Sequence, residues 1–133
     1  MNLALEQNYV AYSAIKEGQV VSMDFSHSTK QCRYVAAATP STKAGIVGIA
    51  TCAAAAGDTV SIQFFEYGKI VRVLMHETVT AGAQVAIDAS GNLVVDDSTS
   101  GEVPLPLFIC EAATLSADAI CQAVFSPVVV ANS

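Results

Sequence analysis

The segment 45–65 most constrains the fold, because it contains two short β-type runs joined by a turn of small residues. It opens with Ile46 and Val47, and apolar residues later recur at every second position, as in a half-buried strand: Val60, Ile62 and Phe64. Between the runs, four alanines end in Gly57-Asp58, where glycine accepts a positive φ and aspartate can bond its own backbone. The segment therefore predicts a strand, a small-residue loop and a second strand.

A related segment lies near the C-terminus, sixty residues further along the chain. At this offset Asp118 matches Asp58, Ile120 matches Val60 and Phe125 matches Phe65. The preceding loop is two residues longer in the second segment, because Cys110 takes the place of Cys52. We therefore expect two related hairpins in one chain; chance similarity between two alanine-rich hairpins is the alternative.

The rest of the chain continues the pattern of short strands and tight turns. Residues 84–88 and 92–96 flank a short loop that ends in Gly91, and they predict a further hairpin. Pro104 and Pro106 lack the N–H that a central strand donates, so we expect their strand at a sheet edge. No apolar stripe with helical spacing is present.

This pattern predicts an all-β fold, either a small β-barrel or a sandwich built of short hairpins, with little helix. We expect residues 1–17 to form an extended N-terminal arm or an edge strand. Residues 18–126 are expected to form a single β domain and residues 127–133 a C-terminal tail, because a chain of 133 residues suits one domain.

Charged residues make up only 14% of the chain, against about 25% in typical globular proteins. So small a charged fraction favours a surface that is partly covered by partners. The net charge is −6, and the segment after Arg72 contains seven acidic residues and no lysine or arginine. This distribution argues against nucleic acid as a partner, since nucleic-acid binding requires a basic surface.

The sequence also argues against a membrane partner. The apolar run Val128–Val130 is much shorter than the roughly 20 residues that a membrane-spanning helix needs. Glu6 interrupts the N-terminus before the apolar region of a signal peptide could form, so we expect synthesis in a cytoplasm.

Four cysteines and two histidines are the residues with the greatest catalytic potential. The cysteines are Cys32, Cys52, Cys110 and Cys121, and they form no Cys-x-x-Cys pair, so we expect no zinc site. We favour buried free thiols, and whether any two cysteines form a disulfide stays open. A small thiol-dependent hydrolase would need His27 or His76 beside a cysteine and is the enzymatic alternative. We expect no metal, no cofactor and no catalytic residues.

The candidate contact residues are aromatic, apolar and basic side chains of the N-terminal third. Tyrosine suits interfaces because its ring combines an apolar body with a polar tip. Lysine and arginine can pair with the acids of a neighbouring molecule. The residues expected to contact a protein partner or a second copy are Tyr9, Tyr12, Ile15, Lys30, Arg33 and Lys43.

Five short motifs stand in the order seen in phage capsid cement, or decoration, proteins, which this chain resembles over roughly residues 18–125. The motifs are Gly45–Ala50, Ala53–Asp58, Gly68–Ile70, Thr80–Val85 and Asp88–Leu93. The resemblance implies a non-enzymatic β protein that is made in the host cytoplasm and lies on the outer surface of the virion.

The function that the resemblance implies is structural. Such a protein binds the outside of an icosahedral phage head, cements neighbouring subunits of the major capsid protein and stabilises the expanded shell. The resemblance further implies a homotrimer. Besides the hydrolase, the alternative is a β domain of a phage fibre or adhesin.

Overall fold

The computed structural model describes residues 9–30, 32–97, 101–115 and 118–126. These residues form ten β-strands and one 3₁₀ helix, which spans Pro40–Gly45. The strands of the first half are β1 (Tyr9–Ala11), β2 (Val20–Met23), β3 (Arg33–Ala37), β4 (Ile46–Ala50) and β5 (Ile62–Phe64). Those of the second half are β6 (Ile70–Met75), β7 (Gln84–Ile87), β8 (Leu93–Val95), β9 (Val103–Ile109) and β10 (Ala119–Phe125).

The predicted all-β fold with little helix is confirmed. In the first half the strands form one sheet in the order β1-β3-β2-β4-β5, with β1 parallel to β3 and the other pairs antiparallel. A bridge between Val10 and Thr59 brings β1 to the chain that leads into β5, so the sheet curls into a partly closed barrel. No helix in the described ranges is long and apolar enough to cross a membrane.

The second half forms a closed barrel in the order β6-β8-β7-β9-β10. Here the last strand returns to the first, because β10 pairs with β6 over six residue pairs. A closed barrel has no free sheet edge, and its inward side chains form a core.

The two halves have the same connectivity, with β1 to β5 corresponding in order to β6 to β10. In each half the first strand lies parallel to the third. In each half, too, the ladder between the second and fourth strands shifts its register. Because two unrelated five-stranded units have no reason to share this irregularity, we conclude that the chain contains two copies of one structural unit.

Hydrogen bonds give the residue-by-residue correspondence between the copies. Ile15 and Ala54 exchange two backbone hydrogen bonds in the first copy, and Val79 and Ala113 exchange the same two bonds in the second. At the start of each copy, the residue after the first strand donates its N–H to the third strand. Tyr12 donates to the carbonyl of Val35, and His76 donates to the carbonyl of Leu93.

The sequence correctly matched the segment 45–65 with the hairpin near the C-terminus. The residue-by-residue match was wrong by one position where β5 corresponds to β10. Val10 bridges Thr59, and the equivalent pair in the second copy is Leu74 with Ile120. Val60 therefore corresponds to Cys121, and both side chains are buried. Since successive strand side chains point to opposite faces, an error of one residue exchanges the inward and outward faces.

The two copies bury equivalent positions, but the first fills them with smaller side chains. Its core cluster consists of Ala11, Ile15, Val21, Val35, Ala50, Ala54 and Val60. Three of the equivalents in the second copy are larger and equally buried: Met75 for Ala11, Leu93 for Val35 and Ile109 for Ala50. Because stabilisation by apolar burial grows with buried area, the closed barrel holds the stronger core.

The halves pack directly against each other. Val20, Ala38 and Ile49 of the first half belong to the core cluster of the closed barrel. The N–H of Leu74 donates to the carbonyl of Gly18 at 2.9 Å, and Arg72 lies 3.4 Å from the Glu17 carboxylate. Apolar contacts, a backbone hydrogen bond and an ion pair therefore join the two copies.

Two expectations for individual segments gain detail. In the described part of the N-terminal segment, residues 9–17, β1 pairs with β3, and Val10 and Ile15 bridge Thr59 and Ala54. The expected C-terminal tail, residues 127–133, lies outside the described residues.

The expectation that Pro104 and Pro106 lie on a sheet edge is wrong. Both belong to β9, which pairs with β7 on one side and β10 on the other. Pro104 is opposite Ala86, next to the register shift between β7 and β9. Pro106 accepts a hydrogen bond through its carbonyl from the N–H of Ser126 at 2.9 Å. The prolines are tolerated because the ladder needs no N–H at these two places.

Candidate contact surface

The loop between β2 and β3 and the start of β3 carry aromatic and basic side chains, and two of them contact the ring of Tyr12. The Tyr12 ring stacks on His27 with 4.0 Å between ring centroids, and it meets Tyr34 edge to face at 5.9 Å. The guanidinium of Arg33 donates to the carbonyls of Thr29 and Lys30 in the same loop. We call this surface the loop patch and define it as Tyr12, Phe25, His27, Lys30, Arg33 and Tyr34.

Asp24 holds the loop patch in shape. Its carboxylate accepts the backbone N–H groups of Ser26 and His27 at 3.0 and 3.2 Å, and the ring Nδ1 of His27 lies 2.9 Å away. The hydrogen bond with the His27 ring is the main cause that lowers the pKa of Asp24 below its ordinary value of 3.8. A lowered carboxyl pKa stabilises the fold above the ordinary value, and this stabilisation is lost as the pH falls through the lowered pKa. The loop should therefore keep its shape at neutral pH.

A groove of about 370 Å³ opens beside the loop patch. Phe25 stands at its side with 70% of its surface exposed. The ring lies against the 3₁₀ helix at Gly45, where an added Cβ would come within 2.8 Å of it. The other lining residues are mostly small or apolar, among them Met23, Ala36, Ala37 and Ala44. An apolar groove next to basic and aromatic groups is suited to receive an apolar side chain of another protein.

A second apolar surface lies where the two copies are joined. Phe64, Tyr67 and Ile70 are 50%, 71% and 48% exposed, and the ring of Tyr9 meets Phe64 edge to face at 6.2 Å. We call these four residues the linker patch. Three of the five most exposed large apolar side chains among the described residues thus fall within residues 64–70.

The structure brings together three of the six contact residues predicted from the sequence. Tyr12, Lys30 and Arg33 share the loop patch. Lys43 lies nearby on the 3₁₀ helix, against which Phe25 packs. Tyr9 belongs to the linker patch, whereas Ile15 is only 2% exposed and belongs to the core of the first copy.

Sequence reasoning missed several aromatic members of the two patches: Phe25, His27, Tyr34, Phe64 and Tyr67. Phe25 and His27 stand alone in polar loop sequence, and a single ring in a loop has no periodicity. The one available signal was that a large aromatic side chain in a polar loop has no core of its own to enter.

Among the described residues, the ring of each histidine lies beside a carboxylate, His27 beside Asp24 and His76 beside Asp118. His76 lies 2.8 Å from the Asp118 carboxylate, next to a cavity of about 20 Å³, which is room for a single water molecule. The described residues that line this cavity include neither a cysteine nor a serine. Across the described ranges, no group of three or more His, Cys, Asp or Glu residues is placed to hold a metal ion.

All four cysteines are unpaired, and their environments differ. Cys121 is buried, as expected from the sequence, and burial raises the pKa of its thiol. Cys52 and Cys110 are exposed and Cys32 is half-buried, so the expectation of buried thiols is wrong for these three. Cys52 and Cys110 follow the ends of β4 and β9.

We expect Cys52 and Cys110 to react with a maleimide in the native protein at least about tenfold faster than Cys121, because only an accessible thiolate reacts. Mass spectrometry of peptides sampled over time measures the three rates. The urea-unfolded protein, in which all four thiols are open, is the control. Equal native rates for Cys121 and Cys52 would contradict the burial described above.

Comparisons with known proteins agree with this architecture. The model of a family described as phage cement protein matches residues 4–121. The solved structure of the head fiber gp8.5 N base of bacteriophage phi29 superposes with a TM-score of 0.65 and 12% sequence identity, covering 94% of this chain and 96% of that chain. At this identity, the likeness concerns the fold. The curated proteins contain no match.

Proposed function

Because this chain belongs to the phage cement protein family, a family of structural phage proteins, we propose that it binds the outer surface of a phage head and cements neighbouring subunits of the major capsid protein. The observation that carries this proposal is the family match, which spans nearly all of both structural copies. Cementing requires contact surfaces rather than a catalytic pocket. The described residues offer two such surfaces, the loop patch and the linker patch.

A cement protein of this kind stabilises the expanded shell by mass action. A ligand that binds one state of an assembly and not another shifts the equilibrium toward the bound state, by about 2.7 kcal/mol per site at a hundredfold excess over Kd. If the binding site is formed only when capsid subunits take their expanded arrangement, binding opposes the return to the compact arrangement. The stabilisation then grows with the number of occupied sites.

We place the capsid contact at the loop patch. It combines exposed aromatic rings with an arginine, and these residue types supply most of the binding energy in protein interfaces. The groove beside Phe25 offers a place for an apolar side chain of the capsid protein. Asp24 and the stacking of Tyr12 on His27 hold the patch in place before binding, which lowers the entropy lost on association.

We further propose that the protein acts as a homotrimer. The basic residues Lys30, Arg33 and Lys43 lie in the first half, while the chain after Arg72 has seven acids and no lysine or arginine. This polarity favours a head-to-tail contact, which closes into a ring. Exposed ion pairs contribute only about 0–1 kcal/mol each, so apolar contacts such as those of the linker patch must supply most of the stability. A trimer would bind three capsid sites at once and gain avidity.

The test is co-sedimentation of the purified protein with phage heads that lack it, compared among single variants. We expect Tyr12→Ala and Phe25→Ala to weaken binding at least about tenfold, as loss of an interface hot spot does. Tyr67→Ala tests the linker patch, and Gln122→Ala is the control, since Gln122 is exposed and lies outside both patches. Light scattering of protein released from the heads measures whether it is a trimer.

Three results would contradict the proposal. If the wild-type protein did not bind the heads, the proposed cement function would be wrong. Loss of binding in Tyr67→Ala alone would move the capsid contact to the linker patch. A released monomer that occupies single, non-three-fold sites on the shell would exclude the trimer.

The second candidate function is the base of a head fibre, and the likeness to the phi29 head fiber N base favours it. Electron microscopy separates the two candidates. A cement protein contributes density that spans neighbouring capsid subunits, whereas a fibre base occupies the foot of a projecting fibre. The loop-patch variants remain useful in either case, because both functions require attachment to the head.

A further inference from the structure

The loop beside the groove at Phe25 is longer than its equivalent in the second copy. In each copy this loop begins with an aspartate, Asp24 after β2 and Asp88 after β7. Each carboxylate accepts the N–H of the serine two residues further on, at 3.0 and 2.9 Å. The first loop spans residues 24–32, which is nine residues, and the second spans residues 88–92, which is five. Because the second copy forms its barrel with the shorter loop, the fold does not require the additional residues.

Polar side chains that line the groove are hydrogen-bonded within the fold. The Ser22 hydroxyl donates to Oγ1 of Thr42 at 2.9 Å, and the Thr42 hydroxyl donates to the carbonyl of Thr39 at 3.1 Å. Asp24, the one charged residue among the described lining residues, has its carboxylate 2.9 Å from Nδ1 of His27. An apolar side chain can therefore enter the groove without leaving these polar groups unpaired, which would be costly.

A lysine lies beside the groove without an acidic partner. Lys43 is exposed, and its neighbours on the 3₁₀ helix, Thr42 and Ala44, both line the groove. Among the described residues, no carboxylate forms an ion pair with Lys43. Lys30 and Arg33 of the loop patch add two further positive charges. An apolar groove beside positive charges is complementary to an apolar side chain that has a carboxylate next to it.

Phe25 connects the groove with the loop patch, since it belongs to both. Its ring lies against the 3₁₀ helix where Gly45 has no side chain, because an added Cβ would come within 2.8 Å of the ring. The contact fixes the ring, and yet 70% of the residue stays exposed. A protein that binds the loop patch therefore also covers the groove. This continuity favours the capsid protein over a second copy of the chain as the occupant.

We propose that the groove binds a segment of the capsid protein in which a large apolar residue and an acidic residue are neighbours. The apolar side chain packs in the groove against Phe25, and the carboxylate faces Lys43. The groove has room for such a side chain, because its volume of about 370 Å³ is within the roughly 300–1,000 Å³ of ligand pockets. This inference rests on the proposed function, which supplies the capsid protein as the partner, and it adds the chemistry of the segment that is recognised.

A variant with a filled groove tests the apolar half of the proposal, by co-sedimentation with phage heads that lack the protein. Ala44→Trp adds an indole to the lining of the groove, so we expect binding to weaken at least about tenfold, as for loss of a hot-spot pocket. Ala112→Trp is the matched control, because Ala112 is exposed and lies outside the groove and both patches. Equal Kd values for the two variants would overturn the proposal.

A charge reversal tests the acidic half and needs no change in the groove. We expect Lys43→Glu to bind about three- to tenfold more weakly than Lys16→Glu, because an attraction at the rim of the interface becomes a repulsion. Lys16→Glu is the matched control, since it changes the net charge equally at an exposed lysine outside both patches. The difference should disappear at about 1 M salt, where the screening length is about 3 Å. Equal Kd values at low salt, or a difference that persists at high salt, would overturn the assignment of a carboxylate.

The same assay separates this proposal from the function on which it rests. If the wild-type protein binds the heads and neither variant differs from its control, the groove proposal is wrong and the cement function is retained. If the wild-type protein does not bind, both are wrong. Light scattering of the free protein identifies the remaining occupant. If Ala44→Trp dissociates an oligomer that Ala112→Trp leaves intact, the groove receives a second copy and the proposal is wrong.

Discussion

Replacing Gly18 with alanine should destabilise the protein by about 2–5 kcal/mol, the sum of a backbone and a packing penalty. Gly18 has a φ of +87°, which a residue with a Cβ adopts at a cost of roughly 1–2 kcal/mol. The new Cβ would also lie 2.8 Å from the backbone nitrogen of Leu74 and 2.6 Å from Cδ1 of Ile120. The end of the isoleucine side chain can move, but the backbone of β6 cannot move without disturbing the barrel. Urea denaturation measures the loss as a lower transition midpoint.

The tandem repeat supplies a matched control in Gly82. This glycine occupies the equivalent position in the second copy, where its N–H donates to Ile109 as that of Gly18 donates to Ala50. Its φ is +84°, and an added Cβ would meet no heavy atom within 4 Å. Gly82→Ala should therefore cost only the backbone penalty of roughly 1–2 kcal/mol. Equal losses in the two variants would show that Gly18 does not govern the packing of one copy against the other.

The different roles of these two glycines could not be read from the sequence. Both follow a short strand-like run, and both predict a turn. The partners of Gly18, Leu74 and Ile120, lie far away in the chain, and they meet Gly18 only because the second copy packs on the first. Local residue patterns carry information about turns and faces, whereas contacts between barrels depend on how the whole chain folds.

The repeat itself was only partly visible for a similar reason. The two final hairpins could be matched because both keep alanine-rich loops and an aspartate. The earlier strands could not, because equivalent core positions hold residues of different size, such as Ala11 and Met75. A barrel wall is specified by which positions face inward, and alanine and methionine satisfy that requirement equally well.

The candidate contact surface was predictable in part. Tyr12, Lys30 and Arg33 were identified by residue type, and they share one surface because His27, in the loop between β2 and β3, stacks on the ring of Tyr12. Ile15 was assigned to a contact surface because it follows Tyr9 and Tyr12 in the expected N-terminal arm. It lies in the core because it exchanges backbone hydrogen bonds with Ala54 across the barrel, a pairing that its neighbours in the sequence do not indicate.

Met75→Ala should cost about 2–5 kcal/mol of unfolding free energy, since it removes a fully buried side chain and leaves a cavity. We expect a value in the upper half of this range. A core collapses around a cavity only if its walls can move, and the closed barrel ties β6 to β10 by six residue pairs. Thermal and urea unfolding monitored by far-UV circular dichroism measure the loss.

Two observations separate the effect of the cavity from other effects of the substitution. Alanine already occupies the equivalent position in the first copy, Ala11, so the backbone of this unit accepts alanine there. Ile70→Ala is the control on the same strand; Ile70 is 48% exposed, and its loss should cost within about 1 kcal/mol. If Met75→Ala cost no more than Ile70→Ala, the closed barrel could not be the better-packed half. The larger inward residues of the second copy would then have to serve a purpose other than packing its core.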